Sequence, residues 1–184
     1  MFDFISRIDK YRNKRYFSKV NTQDMNSILK NELAKIAANP EKLVLDVVYK
    51  NEEILVVYRN NLDLEDKYGI FLIELKVITS QGVLKDRVRL AAEYTKREVI
   101  EILEIQVFED NQHRGYGSVL LTTLIDIALE NSIKEISGWI SYADEDHFDK
   151  LDYFYKKHGF AVFWLDNKRH VHKAADIIWT NDRN

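Results

Sequence analysis

The chain has 184 residues, 46% hydrophobic, 12% aromatic and 31% charged, with 27 Lys and Arg against 30 Asp and Glu and a net charge of -3. That mixture can bury a core and argues against a wholly disordered chain, while six glycines and one proline exclude a collagen-like or proline-rich scaffold. The charge balance predicts no global attraction to nucleic acid or an anionic membrane, and the absence of cysteine excludes disulfides, a cysteine nucleophile and thiolate metal sites.

The length predicts one compact domain over residues 21–184, preceded by an amphipathic segment at 1–20. In that segment six basic residues mix with Phe2, Phe4, Ile5, Ile8, Tyr11, Tyr16 and Phe17. It reads either as a helix packed on the domain or as a basic-aromatic contact arm. The start lacks the basic-then-apolar order of a secretory signal, and no apolar run is long enough to span a bilayer. A cytoplasmic protein is expected.

In chain order, Ile28, Leu29, Leu33, Ile36 and Ala37 recur at helical spacing and predict a helix over 22–38, capped by Thr22 and stopped by Asn39-Pro40. Strands are predicted at 43–49, 54–58 and 69–78, with a turn at Ser80-Gln81-Gly82. The stretch 88–96 reads as strand or helix: Val88, Leu90 and Ala92 alternate, yet Ala91–Lys96 also tolerates helix. A strand over 99–108 is followed by a loop at 109–112 and a helix to about Glu130, with Leu120, Leu121, Leu124, Ile127 and Ala128 on its apolar face. A strand at 135–142, a helix ending near His158-Gly159, and strands at 160–165 and 174–179 complete the pattern. The fold class is α/β: one mixed, mostly antiparallel sheet flanked by helices.

The sharpest constellation is Gln112-His113-Arg114-Gly115-Tyr116-Gly117-Ser118, between a strand and an amphipathic helix. The glycines let the backbone turn closely, and their amides with the helix beginning can face an anion. Arg114 and His113 can add donors. No Gly-Lys-Ser/Thr ending makes this a P-loop, and the three-glycine dinucleotide fingerprint is absent. By shape alone it is an anion site or a turn that merely starts a helix.

Gln112–Gly117 resembles the glutamine/arginine-x-x-glycine-x-glycine/alanine signature of the GNAT superfamily of N-acetyltransferases. Phe154-Tyr155-Lys156-Lys157-His158-Gly159-Phe160 resembles its second signature, an aromatic-tyrosine pair leading to Gly-Phe. With the strand that precedes the first signature and the Leu120-Leu121 helix that follows it, the two cover about residues 99–160, in the family's order. The resemblance implies acetyl-coenzyme A as acyl donor and an acetyl group moved to a primary amine by direct attack. It implies that amides around Arg114, Gly115, Gly117 and Ser118, with Tyr116 inside the signature, hold the pyrophosphate. Gln112 and His113 would stand at its entrance, and the backbone of Ile105 and Val107 would meet the pantetheine arm. The second signature departs from its common form: the asparagine and alanine usual before its tyrosine are Phe148 and Leu151 here, leaving His147 or Asp149 as substitutes.

By the same resemblance Tyr155 is the candidate general acid, against the alternative of an aromatic packing residue. Glu101, eleven residues before Gln112, matches the catalytic glutamate of members that acetylate histone-like lysines, and Glu104 is the alternative base on the opposite strand parity. Both carboxylates also read as solvated strand residues. Asp144, Glu145, Asp146, Asp149 and Asp152 either attract a cationic amine or favour a helix beginning. His170 and His172, with Asp166 and Asp176 nearby, are candidate metal ligands, but the chain lacks the His-Glu-x-x-His pattern and a surface histidine pair is the expected reading, so no metal is expected. The acceptor is an amine-bearing small molecule or protein, and a homodimer is compatible with this reading. The rival functions are an acyl-coenzyme A-binding sensor or interaction module on a degenerate domain, and a nucleic-acid binder using the basic arm.

Overall fold

The computed structural model describes residues 24–60, 69–108, 111–165 and 172–182. The expected amphipathic segment at 1–20, Thr22 and His170 lie outside them. The architecture is a mixed, mostly antiparallel β-sheet flanked by helices, as the alternation of elements predicts. Contacts divide the chain into two units, one of residues 1–62, 72–89 and 105–120, the other of 63–71, 90–104 and 121–184.

In the first unit, helix α1 (Met25–Ala37) begins at Asp24, whose carboxylate accepts from the Asn26 amide at 3.3 Å. The cap therefore falls at Asp24, two residues later than expected. Its apolar stripe, Ile28, Leu29, Leu33 and Ile36, packs with Val44 and Val47 of strand β1 (Lys42–Lys50) and Ile54, Val56 and Tyr58 of β2 (Glu53–Asn60). Full burial of such a side chain contributes about 1.5–3 kcal/mol. Strands β1 and β2 form an antiparallel hairpin closed by the pair Lys50↔Glu53, with Asn51 at φ 51 in its turn. β2 pairs antiparallel with β3 (Gly69–Thr79). A two-residue strand β4 (Gly82–Val83), which the alternation did not announce, follows the expected turn and folds back on β3. Gly82, at φ 119, supplies the left-handed step there.

The ambiguous stretch is strand β5 (Val88–Lys96 in full), which enters the second unit at Leu90, because Val88, Leu90 and Ala92 are buried in strict alternation. Strand β6 (Val99–Gln106) ends earlier than the expected 108. It pairs in parallel with β7 (Glu135–Ser141), and that ladder stops after Val99↔Glu135, Ile100↔Ile136 and Glu101↔Ser137, although both strands continue. Gly138 lies just past this point. A Cβ there would stand 3.3 Å from the Ile102 carbonyl oxygen and 3.1 Å from Ile177, so the position has little room for a side chain. β7 pairs antiparallel with β9 (Lys173–Thr180), and β9 with the edge strand β8 (Ala161–Trp164).

Helix α2 (Tyr116–Glu130) buries the five apolar residues expected of it. The acidic stretch is a 3-10 helix, Tyr142–His147, leading into α3 (Phe148–Lys157), which ends where Gly159 turns at φ 84. No described helix is long and apolar enough to cross a membrane.

Candidate functional site

The turn that precedes α2 belongs to the first unit. His113 (φ 62) and Gly115 (φ 78) both take the left-handed conformation, with Arg114 between them. Left-handed steps beside a helix start turn successive N–H groups towards one concavity, a ready site for an anion. The N–H of Val119 donates to the Gly115 carbonyl at 3.2 Å, the first α-helical bond across the turn. The amides of Tyr116, Gly117 and Ser118 thus fall in the first turn, which has no intrahelical acceptors. Gly117 has negative φ, so its backbone does not need the freedom of glycine. Gln112, His113 and Arg114 are exposed, Gly115, Gly117 and Ser118 are half-buried, and Tyr116 is buried.

Two residues of the β1–β2 hairpin, unread from the sequence, meet this turn. The Glu53 carboxylate accepts from Arg114 Nη1 and from the Tyr116 hydroxyl, each at 2.6 Å. Tyr116 is therefore a buried strut of the turn, anchored by its hydroxyl. The Lys50 ammonium occupies the place where a Cβ on Gly115 would project, with Lys50 Cε 3.4 Å from that point. A third fastening is Asn111, fully buried, whose side-chain amide donates to Asp86 at 3.1 Å and whose backbone N–H donates to the Phe108 carbonyl at 2.8 Å. The loop is held at its base and at its crest.

Ile105 lies within β6, whereas Val107 falls one residue past the strand end. In β6, Ile100 and Ile102 are buried and Leu103 is 45% exposed. Glu101, half-buried, pairs with Ser137 at the last rung of the parallel ladder. Glu104 is exposed and lies beyond that rung on the other parity. Alternation puts the two carboxylates on opposite faces of the strand.

Tyr155 belongs to the second unit, buried on α3. Its ring meets Phe154 at 5.2 Å and Phe160 at 5.6 Å, both edge-on. The helix end is built around it: its carbonyl accepts from His158 N at 3.0 Å and Phe160 N at 3.1 Å. Burial, and secondarily the charge of Asp144, pushes the phenol up to about 12. At neutral pH it is a proton donor and not a phenolate. Phe148, in the position of the missing asparagine, packs against Trp164 (4.8 Å) and Tyr142 (6.2 Å). The substitutes considered for it, His147 and Asp149, are exposed.

Of the acidic concentration, Asp152 is committed locally. It accepts from Lys156 at 2.8 Å and Trp164 Nε1 at 2.9 Å, and these bonds, Lys156 first, hold its carboxyl below the usual range. Asp144, Glu145, Asp146 and Asp149 are exposed around a helix start, where carboxylates are favoured. Among the described residues no three His, Asp or Glu side chains gather as a metal site would need.

The two buried tyrosines carry a prediction about stability. Tyr58 is raised by burial first and then by its bond to Glu74 (2.5 Å), and Tyr155 is raised to about 12, both from an ordinary value of 10.0. The unfolded phenols ionise first, so their contribution is fully present below pH 10 and is lost as pH rises through the folded values. Urea midpoints should therefore fall above about pH 10, and fall less in Tyr155→Phe. A decline identical in the variant would refute the assignment to Tyr155.

Comparison with known proteins agrees with the two signatures. Residues 77–160 match the model of the acetyltransferase (GNAT) family. That stretch is a little under half of the chain. A Bacillus subtilis (strain 168) protein, the uncharacterized protein YocC, is 37% identical over 69 residues, 38% of this chain and 39% of that protein. The match thus spans about two-fifths of the length of that curated relative. Among solved structures, the PaiA N-acetyltransferase of Thermoplasma acidophilum in complex with coenzyme A is 16% identical, over 60% of this chain and 61% of that one, with a TM-score of 0.44. A GNAT family acetyltransferase of Elizabethkingia anophelis with acetyl-CoA bound is 19% identical over 64% and 82% of the two chains (TM-score 0.44). An acetyltransferase of Bacillus cereus is 18% identical over 90% and 98% (TM-score 0.43).

Proposed function

We propose that the protein is an N-acetyltransferase that moves an acetyl group from acetyl-coenzyme A to a primary amine by direct attack. The observation that carries this reading is the turn at Gln112–Ser118, already bent by two left-handed residues and opening a helix, within the segment that matches the acetyltransferase family. A preformed ring of amides binds a diphosphate without first ordering a loop. In this reading the amides from Arg114 to Ser118 take the diphosphate, with Gln112 and His113 at the entrance. The backbone of Ile105 and Val107 receives the pantetheine arm, a reading supported by the end of the β6–β7 ladder at Glu101↔Ser137, past which both strands run on without pairing to each other.

The chemistry follows from these roles. The amine nitrogen bonds to the thioester carbonyl carbon, the carbon–sulfur bond breaks, and the thiolate takes a proton from Tyr155. Glu101 or Glu104, directly or through water, accepts the proton lost by the amine. Burial keeps the Tyr155 phenol protonated at every physiological pH, so its hydroxyl is present to donate to the departing sulfur. No side chain becomes acylated, which suits a chain without cysteine. The acceptor is an amine-bearing small molecule or a protein lysine.

Isothermal titration of cofactor-free protein with acetyl-coenzyme A and coenzyme A tests the donor half of the proposal. Saturable binding of both is expected, and no specific binding by folded protein would overturn it.

A further inference from the structure

We infer that Lys50 is a direct contact to the diphosphate of the donor, delivered by the β1–β2 hairpin from outside the glycine turn. The inference rests on the proposed function and adds to it a residue that neither signature contains. Three observations in the first unit carry it.

The hairpin end is fixed to the turn. Lys50 and Glu53 face each other as its closing pair, and Glu53 is tied to Arg114 and Tyr116 by two bonds of 2.6 Å. Lys50 is thereby brought to the crest of the turn, where its ammonium stands over Gly115 in the space that any side chain at 115 would fill. Glycine at this position accordingly serves two ends: it takes φ 78, and it leaves room for the cation.

Charge accounting points the same way. Arg114 is the basic residue of the turn, but one of its guanidinium nitrogens is bound to the Glu53 carboxylate, which offsets its charge. Lys50 makes no ion pair among the described residues. It is a compact ammonium with three donors on a flexible stem, able to follow a phosphate oxygen held by the neighbouring amides. The hairpin therefore contributes an anion-holding cation and, through Glu53, the brace that orients the turn.

The test is isothermal titration of the wild type, Lys50→Gln and Lys50→Arg with coenzyme A, 3′-dephospho-coenzyme A and pantetheine. Removing the charge should weaken coenzyme A and its dephospho form by the same factor, about tenfold or more for a charge-assisted contact, and leave pantetheine unchanged. Lys50→Arg should keep most of the affinity. Wild-type binding with no loss in Lys50→Gln would overturn this inference alone. A loss for coenzyme A but not for the dephospho form would also overturn it, by assigning Lys50 to the 3′-phosphate. Absence of wild-type binding would overturn the proposed function and this inference with it.

Discussion

Replacing Tyr155 with phenylalanine should slow acetyl transfer by about 100-fold or more while changing donor affinity little. The argument starts from packing. The ring sits between Phe154 and Phe160 at edge-on distances of 5.2 and 5.6 Å, and phenylalanine reproduces those contacts. What disappears is the hydroxyl. Burial keeps that hydroxyl protonated until about pH 12, so the wild-type rate should show no limb from Tyr155 across the neutral range. Pre-steady-state measurements separate the chemical step from product release. An unchanged chemical rate with collapsed donor binding would make Tyr155 a packing or binding residue. If rate and binding both stay intact, Tyr155 does not belong to the site.

The second large effect concerns Gly117. Valine there should weaken acetyl-coenzyme A by about tenfold or more, while Ser118→Ala should change it only a few-fold, provided the amide and not the hydroxyl of Ser118 makes the contact. Gly117 is the cleaner glycine to test. It lies in the first turn of α2 with negative φ, so valine leaves the backbone conformation accessible and adds only bulk where a phosphate approaches. At Gly115 the same change would also strain a residue at φ 78 and displace the Lys50 ammonium. Thermal melts should first establish that both variants are folded. Equal affinities for wild type and Gly117→Val would contradict the close approach of the backbone.

The turn and the helix after it were legible because their signals are local. Glycine spacing, the apolar recurrence of Leu120, Leu121, Leu124, Ile127 and Ala128, and the Gly159 stop all act within a few residues. The stretch 88–96 was ambiguous because Ala91-Ala92-Glu93 suits either conformation, and burial in a sheet decided it. The buried face of β6 was not legible for a related reason. Leu103 and Ile105 look like an inward parity, yet Ile100 and Ile102 face the core, and nothing in a strand's own alternation says which side is covered. The supports of the candidate site were invisible. Glu53 lies 61 and 63 residues from the Arg114 and Tyr116 it holds, and Asp86 lies 25 residues from Asn111. Their one sequence clue, a turn flanked by Lys50 and Glu53, is common to many surface hairpins.

That difference bears on how the fold would serve the reaction. Local spacing makes the bent turn, but its fastening comes from residues distant in the chain, and in the proposed site a turn without Glu53 and Asn111 would have to be ordered by the ligand. Buried Asn111 and Tyr116 each satisfy a polar group inside the structure, so the turn is held by bonds that water does not replace at low cost.

The central claim is transfer of an acetyl group to an amine, and mass spectrometry of an amine panel incubated with the protein and isotopically labelled acetyl-coenzyme A tests it most directly. The panel should include polyamines, aminoglycosides and lysine-containing peptides. The account predicts a labelled acetyl group on the nitrogen of at least one acceptor, formed faster than without protein and about 100-fold more slowly with Tyr155→Phe. Tight donor binding with no acetylated amine anywhere in the panel would contradict it and would make the protein a binder of acyl-coenzyme A rather than an enzyme.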